Sequence, residues 1–250
     1  MTVVYHSLSG GADISAAELK TRLLAVDGAE GRFDFAKDTL PLRTDIGGDA
    51  SLYDAVLNDP AKSSYGSGME WIPVLGLGGR SGFDGRALWV ETVRRQLQPV
   101  LDDMGLRMTQ MVAFIRPLGA GPQLALTGRT HVDDEWFQHQ KIGLLLNLAP
   151  PEALRAAGLP EDAYAMRHAT LEGVTFGDVG DLTLEEYTSP DVQAKVGPGR
   201  YVFQPGVWNV FDYAMPHEAG TPPPVDRAVL DALGYGGAKA VTISVQCVPV

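Results

Sequence analysis

Apolar positions change their spacing near residue 106. Before it, they step by three and four. In DISAAELKTRLLAV, residues 13–26, Leu19, Leu23 and Leu24 follow a capping candidate at Asp13 or Ser15, which predicts a surface helix. In ALWVETVRRQLQPVLDDMG, residues 87–105, Leu88, Trp89, Val93, Leu97, Val100 and Leu101 form one stripe with charges between them. That pattern predicts an amphipathic helix supporting a sheet, kinked at Pro99 and ended by Gly105. TVVYHSL at the start predicts a short strand followed by a glycine turn, and residues 28–67, rich in Asp, Gly and Ser, predict loops and short elements.

After residue 106 the runs are short and β-prone: MTQMVAFIRPL, QLALTG, KIGLLLNL, GVTFGDV, RYVFQPG, WNVFDYA and AVTISVQCV, separated by Gly, Pro, Asp and Asn. Many short strands at such intervals predict a mainly β sandwich or barrel with flanking helices. PPEALRAAGLPEDAYAM, residues 150–166, is helical at its start and predicts an excursion between strands. The glycines of VLGLGGRSGFDGR, residues 74–86, lack the Gly-Lys-Ser/Thr ending of a phosphate loop and predict a turn.

Length and composition narrow the class. A chain of 250 residues with 45% hydrophobic and 20% charged residues has the material for one folded domain. The formal charge of −11 disfavours nucleic acid as a partner, because a phosphate backbone would be repelled. The one cysteine, Cys247, allows neither an internal disulfide nor a cysteine-rich metal cage, which fits a cytoplasmic setting. No apolar run approaches a membrane span.

Candidate chemistry centres on RTHVDDEW, residues 129–136. In an extended chain His131 and Asp133 share a face, while Val132 and Asp134 take the other. An imidazole beside a carboxylate supplies two donors of a metal site, and a further histidine must come from elsewhere. His217, in GVWNVFDYAMPHEAG, lies 217 − 131 = 86 residues on, several strands away. His139 and His168 are the alternative third ligands, and His6 is a strand-end residue. The plain reading of His131 is a turn histidine, with Asp133 capping the loop. Trp136, Phe137, Trp208 and Phe211 are core aromatics on the same plain reading, although Trp136 follows the metal loop closely enough to line a pocket. Arg116 and Arg129, on or beside strands entering the barrel mouth, are candidates for binding an anionic substrate or simple surface arginines.

His131-Val132-Asp133 resembles the proximal His-x-Asp of Fe(II)- and 2-oxoglutarate-dependent dioxygenases. The stretch from Gly206 through Phe211-Asp212 to Pro216-His217 is similar to the segment that delivers their distal histidine. KIGLLLNLAPP and LEGVTFGDV resemble two further strands of that superfamily, so the likeness covers roughly residues 106–250. It implies a double-stranded β-helix, the distorted jelly roll shared with cupins. Residues 1–250 would form a single domain, with 1–105 a helical and mixed support region and 106–250 the jelly-roll core carrying the metal site.

The resemblance further implies Fe(II) held by His131, Asp133 and His217. Two imidazoles and one carboxylate leave three adjacent positions of an octahedral ion open, two for a bidentate 2-oxo acid and one for dioxygen. The implied activity is oxidation, most simply hydroxylation, of a small molecule such as an amino acid or biosynthetic intermediate, with 2-oxoglutarate converted to succinate and CO2. The co-substrate's far carboxylate needs a cation. The superfamily's usual place, the strand after the distal histidine, points to Lys239 at the head of KAVTISVQCV, with Arg227 as its rival. Asn147, Thr242 and Ser244 offer hydrogen bonds to the same ligand. The competing functions are a cupin-like metalloenzyme that does not use the oxo acid, and a non-catalytic jelly-roll binding module.

Overall fold

The structure is a computed structural model that describes residues 4–6, 13–15, 40–43, 50–58, 63–64, 70–73, 88–119, 142–171, 190–194, 196–212, 217–220 and 222–250. In chain order these form β1 (Val4–His6), β2 (Asp13–Ser15), β3 (Leu40–Arg43), α1 (Ala50–Leu57), β4 (Ser63–Ser64), β5 (Glu70–Pro73), α2 (Leu88–Met104) and β6 (Leu106–Pro117). They continue as β7 (Ile142–Leu148), α3 (Pro151–Ala156), β8 (Arg167–Leu171), α4 (Pro190–Gln193), β9 (Val196–Val202), β10 (Trp208–Asp212), β11 (His217–Glu218), α5 (Arg227–Ala232) and β12 (Lys239–Pro249).

The strands make two antiparallel sheets. The large one has the order β2-β1-β3-β10-β7-β12-β6-β5-β4, and the small one β11-β8-β9. The C-terminal strand β12 sits inside the large sheet, paired with β6 on one side and β7 on the other. Sequence order is therefore scrambled across the sheet, and no two of β6, β7 and β12 pair through a tight hairpin.

Register separates the faces of this sheet. Ile115, Val241 and Leu148 lie in one row; Ala113, Ile243, Leu146 and Trp208 in the next; Met111, Val245, Leu144 and Val210 in the third. All are buried, and they share one apolar cluster with Trp89, Val93, Leu97, Val100, Leu101 and Met104 of α2 and with Leu52 and Val56 of α1. The stripe foreseen along residues 88–101 thus meets the sheet as expected. Each such side chain contributes roughly 1.5–3 kcal/mol by leaving water. On the opposite face the rows are Arg116 with Ala240, then Phe114, Thr242 and Asn147, then Val112, Ser244, Leu145 and Asn209.

The turn between β9 and β10 ties the two sheets. Asn209, fully buried, donates to the Gln204, Val207 and Leu145 carbonyls and accepts from the Gln204 amide at 3.0 Å. Gly206, at φ 76°, closes the turn and donates its N–H to the Asn147 carbonyl at 2.8 Å.

Three elements refine the expectations. Residues 13–15 are a strand pairing with β1, because Ile14 is β-branched and completes an antiparallel pair with Tyr5; the leucines that suggested a helix lie outside the described residues. Helix α1 is one of the short elements expected within residues 28–67, with Leu52 and Val56 at i, i+4 facing the core. Strand β8 continues from the 150–166 excursion, and its Arg167–Leu171 run gave little apolar alternation to read. The 74–86 glycine cluster and the QLALTG and GVTFGDV runs lie outside the described residues.

Candidate functional site

His217 opens β11, a two-residue strand on the edge of the small sheet. Its register partner across β8 is His168, so two of the chain's five histidines stand opposite one another in the backbone ladder. His217 is 5% exposed. A buried imidazole is costly unless something holds it, and the segment carrying this one is held firmly.

The hold begins at Gly220. A Cβ there would stand 2.5 Å from the Ala165 carbonyl oxygen and 2.6 Å from that of Ala163, so only glycine lets this backbone lie against the 163–165 turn. The Gly220 carbonyl then accepts from Arg116 Nη1 at 2.9 Å. Arg116 Nη2 donates to the Tyr164 carbonyl at 3.0 Å, and the guanidinium carbon lies 5.0 Å from the centre of the Tyr164 ring. Tyr164 in turn accepts from the Gly119 amide at 2.8 Å through its hydroxyl.

Alternation along β6 puts Arg116 on the face opposite the helix-packed one, with Thr242 and Asn147. Since its guanidinium reaches Gly220 and Tyr164, the residues flanking β11 and β8 lie over that face. The segments flanking the small sheet are therefore packed over the polar side of the large sheet, and His217 lies on one of them. Burial lowers the Arg116 pKa from its ordinary value, opposed by the neighbouring Tyr164. Burial raises that of Tyr164, opposed by its hydrogen bond with Gly119 and by Arg116. Among the described residues no carboxylate pairs with Arg116.

The polar face is buried as well as polar: Asn147 is 4%, Ser244 7% and Gln246 2% exposed. Asn147 Oδ1 accepts from Thr242 Oγ1 at 3.0 Å. Its amide nitrogen Nδ2 has no hydrogen-bond partner among the described residues. An unmet buried donor of this kind costs on the order of 1–3 kcal/mol unless a ligand or water accepts from it.

The other expected site residues divide clearly. His131, Asp133, Arg129 and Trp136 lie outside the described residues, as does His139. Lys239 begins β12, as foreseen, but its alternation is that of Val241 and Ile243, toward the helix-covered face; its carbonyl accepts from Tyr53 of α1 at 2.7 Å. Arg227 opens α5 on the surface and pairs with Asp231 at 3.3 Å, both side chains about 60% exposed (62% and 59%). Trp208 is core. Gly220 and Tyr164 were not foreseen: nothing in AYAMRH or HEAGT announces a close approach between residues 56 apart (220 − 164). Among the described residues no three His, Cys, Asp or Glu side chains gather to hold a metal ion, so any such site needs donors beyond them.

The sequence matches no family profile and no curated protein. Solved structures do resemble the fold. A 2OG-Fe(II) oxygenase family oxidoreductase from Burkholderia pseudomallei is 12% identical over 93% of this chain and 89% of its own, at a TM-score of 0.47. An N-substituted L-amino acid dioxygenase from Burkholderia ambifaria is 11% identical over 97% and 93%, at 0.46. HygX from Streptomyces hygroscopicus, with nickel and 2-oxoglutarate bound, is 11% identical over 82% and 80%, at 0.42. At these scores the functional argument rests on the chain's own residues.

Proposed function

We propose that the chain is an Fe(II)- and 2-oxoglutarate-dependent oxygenase that oxidises a small molecule, with His131, Asp133 and His217 as the metal ligands. The supporting observation is His217 itself: a histidine singled out by its sequence context is buried, on a segment that Arg116 ties over the polar face of the large sheet. A neutral imidazole suits Fe(II), and the donor chemistry of the His-x-Asp pair completes a set with open positions. When bound, the metal would supply activation of dioxygen coupled to decarboxylation of the oxo acid. The chain's own part is to hold the His217 segment through the Gly220 clamp and to present hydrogen-bonding groups from Asn147, Thr242 and Ser244.

The test is an anaerobic Fe(II) titration followed by admission of air with 2-oxoglutarate present. Formation of succinate in the parent protein and its loss in His131→Ala, Asp133→Ala and His217→Ala would support the reading. Turnover without the oxo acid would favour a cupin-like oxidase instead. Metal binding unchanged in all three variants would leave a non-catalytic binding module. Because His168 faces His217 in the ladder, His168→Ala belongs in the same series: loss of metal there, with His217→Ala unaffected, would transfer the third ligand to β8.

A further inference from the structure

Strand β11 poses a mechanical question. It is two residues long, and among the described residues its neighbour is β8 alone, through the pairs His217↔His168 and Glu218↔Arg167. Two cross-strand pairs are too few to hold a strand in place, since even whole isolated hairpins are marginal in water. A side chain that binds a metal has to be held to within about half an ångström. Something beyond the ladder must fix His217.

Arg116 stands at the end of that ladder. Continuing the β11/β8 register two residues further sets Gly220 opposite Ala165, and the Gly220 backbone does lie against the Ala165 and Ala163 carbonyls. Here one guanidinium joins the two chains, Nη1 donating to the Gly220 carbonyl at 2.9 Å and Nη2 to the Tyr164 carbonyl at 3.0 Å. The Tyr164 ring, 5.0 Å from the guanidinium carbon, backs the fork, and its hydroxyl is held by the amide of Gly119, three residues along from Arg116. The arginine thus ties β6 to both chains of the small sheet. The tie is set in the apolar cluster that Tyr164 shares with Leu118, Leu154, Leu230 and Ala240.

The choice of residue is informative. A partly buried cation whose acceptors are neutral carbonyls loses hydration with no countercharge to offset it, so packing alone would be served as well by methionine or leucine. What a guanidinium adds is a rigid planar fork that reaches two acceptors at once, which an ammonium on a flexible stem lacks.

We infer that Arg116 is a positioning residue of the metal centre: its fork staples β11 to β8 past the end of their ladder and so holds His217 ready for a metal ion. The inference rests on the reading of His217 as a ligand and adds the group that acts through it.

The experiment titrates Co(II), whose visible absorption reports its coordination, anaerobically into the parent, Arg116→Met, Arg116→Lys, His217→Ala and Leu97→Ala, with urea midpoints of the metal-free proteins measured alongside. Leu97 is fully buried in the helix-side core, so its truncation costs stability without touching the tie. Arg116→Met should weaken Co(II) binding about 10–100-fold, the range for losing a group that supports a ligand, and alter the visible spectrum at saturating metal. Arg116→Lys, which keeps a cation in place and covers a failure of the methionine variant to fold, should weaken binding about tenfold. Leu97→Ala should lower the urea midpoint yet keep the parent's spectrum and an affinity within about twofold. Arginine variants that bind Co(II) as the parent does, with binding lost in His217→Ala, overturn the positioning role alone. So does a loss in Leu97→Ala equal to that in Arg116→Met, because affinity would then merely track stability. A parent that binds no Co(II), or whose binding survives His217→Ala, overturns the ligand reading and the positioning role together.

Discussion

The large sheet has two buried faces built on opposite terms. Toward α1 and α2 every row is aliphatic or aromatic, from Ile115, Val241 and Leu148 down to Met111, Val245 and Val210. Toward the small sheet the same strands present Arg116, Thr242, Asn147, Ser244 and Gln246 among Phe114, Leu145 and Ala240. Hydrophobic burial accounts for the first face. It cannot account for the second, where desolvating amides, hydroxyls and a guanidinium costs free energy that hydrogen bonds at best return. A fold selected only for stability would have placed valines and leucines on both sides. On the proposed reading the polar face serves ligand binding, and mutations on the two faces should therefore fail in different ways.

The largest contrast is expected at Trp208 and His217, which lie on neighbouring strands of the chain. Trp208→Ala removes a fully buried ring from the helix-side core and should cost about 3–5 kcal/mol, read as a lowered urea midpoint. His217→Ala should change the midpoint by less than about 1 kcal/mol in the metal-free protein yet weaken metal binding by more than about 100-fold, beyond what loss of a supporting partner produces. If the two substitutions destabilised the metal-free protein alike, His217 would be a core histidine and the division of labour would disappear.

Gly220→Ala probes the clamp between those extremes. The added methyl meets two backbone oxygens that cannot swing aside, so about 1–3 kcal/mol of stability should be lost, with a parallel fall in metal affinity as the His217 segment is pushed away. Stability lost with metal affinity intact would show that the clamp serves packing alone. Smaller still is the effect of Asn147→Leu. Replacing a side chain whose nitrogen lacks a partner among the described residues should leave thermal stability unchanged to within about 1 kcal/mol or raise it, while 2-oxoglutarate binding weakens about tenfold. Destabilisation without a binding defect would place Asn147 among ordinary structural amides.

The difference between the faces also explains what the sequence made legible. Periodicity announces apolar stripes, so α2, β6, β7, β10 and β12 were foreseen within a few residues, and Trp208 as core. His217 was visible because its neighbours form a recognisable pattern. The interaction of Arg116 with Gly220 was not, since it depends on which strands become neighbours, and one-residue alternation along β12 decides that Lys239 and Thr242 part company. An arginine at the end of the apolar run MVAFIR signals a cation drawn toward the interior, but its carbonyl partners cannot be read from spacing.

Tyr164 gives the smallest effect and the finest test of the polar side. Burial raises its pKa above the ordinary phenol value near 10, outweighing the Gly119 amide, whose hydrogen bond to the phenol oxygen favours the ionised form. A raised folded-state value means that the folded chain binds the proton more tightly than the unfolded one. The associated stability is complete below the unfolded pKa and is lost as pH climbs through the folded one. Urea midpoints measured from about pH 8 to 11 should therefore decline at the alkaline end. Tyr164→Phe should lower the neutral-pH stability by about 1 kcal/mol, the worth of the Gly119 hydrogen bond, and at the same time flatten the decline. Tyr53, raised by burial in the same direction on the helix side, supplies the control: Tyr53→Phe should flatten the curve without altering oxo-acid binding. Equal effects of both tyrosines on ligand affinity would mean that the two faces of the sheet are not insulated from each other.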